Sequence, residues 1–152
     1  MSSNKNKTTM TQKPSAAFIG ASWTGLLAGT VAYCTGLWNA GMTLAEKGYY
    51  FAILMYGLYA AVSLQKAVRD QLEGIRVTAM YLGISWFSTI LSLLLLVIGL
   101  WNASMLRSEK GFYGMAFTLS LFAAIAVQKN IRDTYQAENR AEGAPRHTDV
   151  NM

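Results

Sequence analysis

The amino-acid sequence predicts an all-α polytopic membrane protein, four transmembrane helices formed as a tandem repeat of two parallel-related helical hairpins. Three observations predict this. First, 53% of the 152 residues are hydrophobic and only 14% are charged, against about 25% charged in ordinary soluble domains. Second, the charges are segregated, leaving four uncharged stretches at 16–38, 48–65, 78–101 and 111–128. Each approaches or exceeds the roughly 20 residues that a spanning helix needs, and lipid offers no partner to an open backbone, so helices are expected. Third, the second half of the chain repeats the first.

The repeat has an offset of 63. Gly36-Leu37-Trp38-Asn39-Ala40 returns as Gly99-Leu100-Trp101-Asn102-Ala103, and Glu46-Lys47-Gly48-Tyr49-Tyr50 returns as Glu109-Lys110-Gly111-Phe112-Tyr113. Farther on, Gln65-Lys66 and Arg69-Asp70 match Gln128-Lys129 and Arg132-Asp133. Seventeen of the 35 positions from 36 to 70 are identical to 99–133 without a gap, which chance does not produce. The chain therefore divides into a tail (1–15), a first hairpin (16–72), a linker (73–78), a second hairpin (79–134) and a second tail (135–152). The tails are polar, lack periodic apolar positions and are expected to be disordered.

The first uncharged stretch exceeds the apolar region of a secretory signal and runs into Gly36-Leu37-Trp38-Asn39 instead of a cleavage site, so it reads as a spanning helix. Cys34 is the single cysteine, which excludes an internal disulfide. The net charge of +5 comes without a basic stripe and interleaved aromatics, so no nucleic-acid partner is expected. Basic residues beside membrane helices set orientation. Ten lie in the tails, in the linker or at the hairpin ends that adjoin them (Lys5, Lys7, Lys13, Lys66, Arg69, Arg76, Lys129, Arg132, Arg140, Arg146), and three, Lys47, Arg107 and Lys110, lie in the hairpin loops. The N- and C-termini and the linker are thus expected on the cytoplasmic side. Two hairpins entering in the same direction are related by a pseudo-two-fold axis along the membrane normal.

Candidate contacts fall at both ends of the hairpins. On the outer face, Trp38, Asn39, Glu46 and Lys47 repeat as Trp101, Asn102, Glu109 and Lys110. The tryptophans suit an interfacial aromatic belt, with Trp23 and Trp86 about 22 Å lower along their helices. The carboxylates suit helix N-termini and the asparagines suit capping. A structural clasp or a small polar site explains the set. On the inner face, Gln65, Lys66, Arg69 and Asp70 repeat as Gln128, Lys129, Arg132 and Asp133. Lys66 can pair with Asp70, and Lys129 with Asp133, at i,i+4; lipid head groups or a cytoplasmic partner could also meet this basic end. Small-residue ladders at Ala17-Ala21-Gly25-Gly29, Gly57-Ala61-Gln65 and Ser120-Ala124-Gln128 suit close helix approach, with glutamine bonding across helices.

No Asp, Glu, Lys, Arg or His lies within a span, where coupled pumps usually keep such a group. There is no phosphate loop, nucleophile set or Cys/His cluster, and His147 has no metal-ligating neighbours. No catalytic residue, cofactor or metal is expected. A non-enzymatic interaction or envelope-accessory protein is the leading expectation, with the lipid bilayer as partner and a protein or a second copy as further candidates. The alternative is a small transporter or channel for an uncharged or cationic solute, with Gln65 and Gln128 lining its path.

The repeated Gly-Leu-Trp-Asn-Ala, Glu-Lys-Gly-Tyr/Phe-Tyr and Gln-Lys-x-x-Arg-Asp pattern resembles the YiaA/YiaB family of bacterial inner-membrane proteins, in the longer, YiaA-like form with two copies of the two-helix domain. The resemblance covers about residues 16–134. It implies a bacterial inner-membrane location and supplies no catalytic residues.

Overall fold

A computed structural model describes residues 13–143. They form four helices: α1 (Ala16–Asn39), α2 (Leu44–Leu72), α3 (Ala79–Asn102) and α4 (Arg107–Gly143). Each is long and apolar enough to cross a membrane. Local chemistry sets most of the boundaries. The Ser15 hydroxyl accepts from the Phe18 amide at 3.2 Å and opens α1. Thr43 and Glu46 form a reciprocal capping box at the start of α2. That helix ends where Gly74 adopts φ 77°, a left-handed conformation that favours glycine. The Ile75 amide then donates back to the Asp70 carbonyl at 2.9 Å.

Helix α4 continues past residue 134, where the sequence reading ends the second hairpin. Residues 135–143 are helical, which corrects the expectation of a disordered tail there. Gln136-Ala137-Glu138 and Arg140-Ala141-Glu142 are good helix formers, and extending an existing helix needs no new nucleus. At 37 residues, α4 is about 55 Å long and must project well beyond a hydrocarbon layer of about 30 Å. The remaining tail residues, 1–12 and 144–152, lie outside the described residues.

The helices of each hairpin scarcely touch one another. Instead α1 packs along α4, α3 packs along α2, and α2 meets α4 in the centre. The two hairpins are interlocked, each outer helix lying on the inner helix of the other repeat. Glycine makes the close approaches possible. A Cβ on Gly29 would lie 2.6 Å from Ser120 Oγ and 3.0 Å from its backbone nitrogen. A Cβ on Gly57 would lie 2.6 Å from Phe117 Cζ. Lipid tails are as apolar as leucine, so such contacts hold the helices by dispersion and geometry more than by the hydrophobic effect. The core gathers Tyr33, Tyr50, Leu54, Tyr113 and Phe117. The Tyr33 hydroxyl is satisfied there by donating to the Tyr50 carbonyl at 3.0 Å.

The repeat is written into this packing. A Cβ on Gly36 would lie 2.8 Å from Phe112 Cε1 and 3.4 Å from Tyr113 Cε1. Its counterpart on Gly99 would lie 2.7 Å from Tyr49 Cε1 and 3.2 Å from Tyr50 Cε1. The glycine of each repeat thus receives the aromatic pair of the other, which explains why both elements recur.

Candidate functional site

At the hairpin-loop end, the repeated polar residues first build a clasp within each loop. Lys47 Nζ donates to the Trp38 carbonyl at 2.9 Å, and Lys110 Nζ donates to the Trp101 carbonyl at 3.4 Å. A cation there answers the open carbonyls that end α1 and α3. Asn39 Nδ2 donates to the Thr35 carbonyl and Asn102 Nδ2 to the Ile98 carbonyl, both at 2.8 Å. Glu46 accepts from the Thr43 amide at 2.7 Å; Glu109 accepts from the Leu106 amide at 2.9 Å. The structure thus assigns all three polar pairs a capping role. Trp38 and Trp101 lie outside the clasp, 84% and 83% exposed on the helix ends, while Trp23 and Trp86 are about half exposed.

The same residues also form two clefts between the repeats. One, of about 550 Å³, runs between Asn39 and Met42 of the first loop and Ser108, Glu109 and Phe112 of the second repeat. The other, of about 420 Å³, sets Asn102 and Ala103 against Glu46, Tyr49 and Tyr50. These are repeat-related surfaces, each pairing the asparagine of one module with the glutamate of the other. Tyr49 donates to the Leu95 carbonyl at 2.8 Å in the second cleft. Phe112 stands at the matching position and has no hydroxyl, so this bond has no counterpart in the other repeat.

At the opposite end, where α1 begins and α2 turns into α3, the expected pairing is overturned. Asp70 pairs with Arg132 at 2.7 Å instead of Lys66. Asp133 pairs with Arg69 instead of Lys129. Among the described residues neither lysine is in an ion pair. The cause is the parallel approach of α2 and α4, which brings each arginine fork to the other helix's carboxylate; a guanidinium also suits such a pair better than an ammonium. Glu73 completes the cluster, contacting Arg69 at 3.0 Å and Arg132 at 2.5 Å. The charge-assisted bond from Arg69, with the Arg132 guanidinium beside it, holds the Glu73 carboxyl below its usual range.

Gln65, Lys66, Arg69, Gln128, Lys129 and Arg132 meet around a cavity of about 10 Å³, room for about one water. The expected glutamine bond across helices is not formed; Gln128 Oε1 is buried without a hydrogen-bond partner. Sequence reasoning also missed Glu73, whose position in the turn carried no repeat signal, and Asn130. Asn130 Nδ2 donates to Ser22 Oγ at 3.0 Å, where the first repeat places the small, fully buried Ala67. Among the described residues, no group of three or more His, Cys, Asp and Glu side chains is placed to hold a metal.

Comparison with known proteins places this architecture. The yiaA/B two helix domain matches twice, at residues 18–70 and 81–133. The Inner membrane protein YiaA of Escherichia coli (strain K12) is 59% identical over 119 residues, which cover 78% of this chain and 82% of that protein. No solved structure matches. The two domain matches coincide with the two interlocked hairpins and together cover most of the chain, which is therefore a multi-pass inner-membrane protein belonging to the YiaA/B two-helix-domain family.

Proposed function

We propose that this chain is a non-catalytic, envelope-accessory interaction protein. It stands in the membrane with both termini cytoplasmic and offers its loop-end clefts to a partner on the outer side. One observation carries the reading: the faces where α1 and α2 meet α4 are filled, and the clefts bordered by the repeated polar residues lie at the loop end, whereas the groove of about 730 Å³ between α3 and α4 is lined almost wholly by apolar residues. Phe117 lies against Gly57, and Ser120 lies against Gly29. The small-residue ladders that a solute path would need are occupied by neighbouring helices. The arginine–aspartate pairs then close the terminal end. The clefts, in contrast, are bordered by repeated polar residues whose backbone work leaves Ser108 and the rims of Glu46 and Glu109 exposed. Orientation follows the ten-to-three division of basic residues.

Cysteine accessibility tests the reading. Cys34 is replaced by serine, and single cysteines at 57, 61, 120 and 124 are exposed to a membrane-impermeant thiol reagent in intact cells and inverted vesicles. These positions stay unlabelled from both sides, while a cysteine at 108 labels in intact cells. Labelling of the four ladder positions from either side would establish an aqueous path and put the transport alternative ahead. Labelling of position 108 only in inverted vesicles would reverse the assigned orientation.

A further inference from the structure

At the end of the bundle opposite the loops, we infer that the chain binds the phosphate of an acidic phospholipid head group between α2 and α4. The small cavity there is lined by Gln65, Lys66 and Arg69 and by their repeat mates Gln128, Lys129 and Arg132. Three mated pairs around one space put it on the pseudo-two-fold axis that relates the repeats. None of the lining residues is a carboxylate: Asp70, Glu73 and Asp133 hold the two guanidiniums without lining the cavity. The lysines are what this ion-pair cluster leaves over. Each arginine takes the aspartate of the other helix, so Lys66 and Lys129 stay exposed and, among the described residues, make no hydrogen bond or ion pair. The ion pairs close the bundle without them, and both repeats carry them all the same.

The lining selects the occupant. Four cationic side chains repel ammonium groups and metal cations and attract an anion. Donors are free to meet it. Arg69 Nη1 and Arg132 Nε take no part in the ion pairs. Neither glutamine amide makes a hydrogen bond among the described residues, and because Gln128 Oε1 is sealed, its Nε2 donor is the reachable end. At about 10 Å³ the space admits one water-sized group. A single phosphoryl oxygen has that size, and the rest of the phosphate lies over the exposed lysines. Depth names the source. Lys66 and Lys129 are the first charged residues after the uncharged runs that end at 65 and 128, so the site lies where the helices leave hydrocarbon, at the level of the bilayer's own phosphates. Basic pockets between spanning helices take acidic head groups at this level. Soluble phosphate shares the chemistry but is not held at that depth, so the lipid is the occupant assigned. Phosphates line both faces of a bilayer, and the assignment therefore stands apart from the orientation and the loop-end partner proposed above.

The test uses the full-length protein in nanodiscs of phosphatidylcholine alone and of phosphatidylcholine mixed with phosphatidylglycerol. Bound lipid is counted by native mass spectrometry, and thermal midpoints are measured in both. Wild type retains phosphatidylglycerol in preference to phosphatidylcholine, and its midpoint is higher in the mixed discs. Lys66→Gln with Lys129→Gln weakens that preference by about tenfold or more, since each lysine near an acidic surface contributes about fivefold. Arg76→Gln, which removes an exposed linker cation outside the cavity, leaves the preference unchanged. In phosphatidylcholine alone the double lysine variant keeps the wild-type midpoint, because neither lysine is in an ion pair. Inorganic phosphate is the soluble arm: added to phosphatidylcholine discs, it gives no comparable rise in the midpoint. Four results would overturn the proposal. They are no preference by wild type, a preference lost equally in Arg76→Gln, a double variant equally destabilised in both lipids, or a variant-sensitive rise with inorganic phosphate and none with phosphatidylglycerol.

Discussion

Tyr50 and Tyr113 occupy the same position in the two repeats and stack on each other in the middle of the bundle, ring centroids 6.2 Å apart and planes 20° from parallel. A residue meets its own repeat mate only at a symmetry axis, so this pair marks the pseudo-two-fold. Around it the other contacts come in reciprocal sets: Gly36 with Phe112 and Tyr113, Gly99 with Tyr49 and Tyr50, Arg69 with Asp133, Arg132 with Asp70.

Reciprocity makes the ion pairs exchangeable. Asp133→Asn leaves Arg69 with Glu73 alone and lowers stability by about 1–3 kcal/mol, below the full value of a buried pair because both side chains keep some solvent contact. The reversed double variant Arg69→Asp with Asp133→Arg regains part of that loss in a thermal unfolding series in detergent. If the double variant is no better than the sum of its singles, the cross-helix pair does not stabilise the protein.

The depressed Glu73 carboxyl gives a pH signature. Its pKa falls from 4.5 on folding because Arg69, and after it Arg132, stabilise the charged form. The resulting stabilisation is fully present above the unfolded value and disappears as pH drops through the lower folded one. Thermal midpoints of wild type and Glu73→Gln therefore differ at pH 7 and converge as the pH is taken below the usual glutamate range and through the lowered folded value. A gap that persists unchanged in acid would mean that the carboxylate's charge is irrelevant.

Glycines in one helix separate by what they face. Gly29→Ala drives a methyl against the backbone of α4 at Ser120 and Ala116, an overpacking that costs about 1–3 kcal/mol. Gly20→Ala meets nothing within 4 Å and is neutral or gains up to about 1 kcal/mol in helix propensity. Equal midpoints for the two variants would argue against α1 docking on α4 at Gly29.

The two loops differ in one cap. The first has the full Thr43–Glu46 box, whereas in the second Glu109 accepts from Leu106, which has no hydroxyl to return the bond. Leu106→Thr completes the second box and is expected to add about 0.5–1 kcal/mol, while Thr43→Ala removes about as much from the first. Opposite shifts of the midpoint are the signature to seek.

Much of this was legible in the chain. The uncharged stretches located the spans, because lipid excludes charge. The offset of 63 located the repeat and its paired ends. Residue type alone pointed Asn39, Glu46 and their mates toward capping, since those bonds are local. The carboxylates of the terminal end misled for the same reason: Lys66 is the right distance from Asp70 along one helix, yet the bond is made by Arg132 of another. Asn130 carried no signal, being an ordinary polar residue just beyond an uncharged run.

The sequence by itself determined four spanning helices, their duplication, their caps and the ends at which polar residues gather, since each follows from neighbours along one helix or loop. Only the tertiary structure decided that α1 docks on α4 and α3 on α2, that Arg69 answers Asp133, and that the glycine of one repeat seats the aromatics of the other. Helix–helix partners in lipid are chosen by shape, not by hydrophobicity. Shape complementarity between distant segments exists only once both surfaces are assembled.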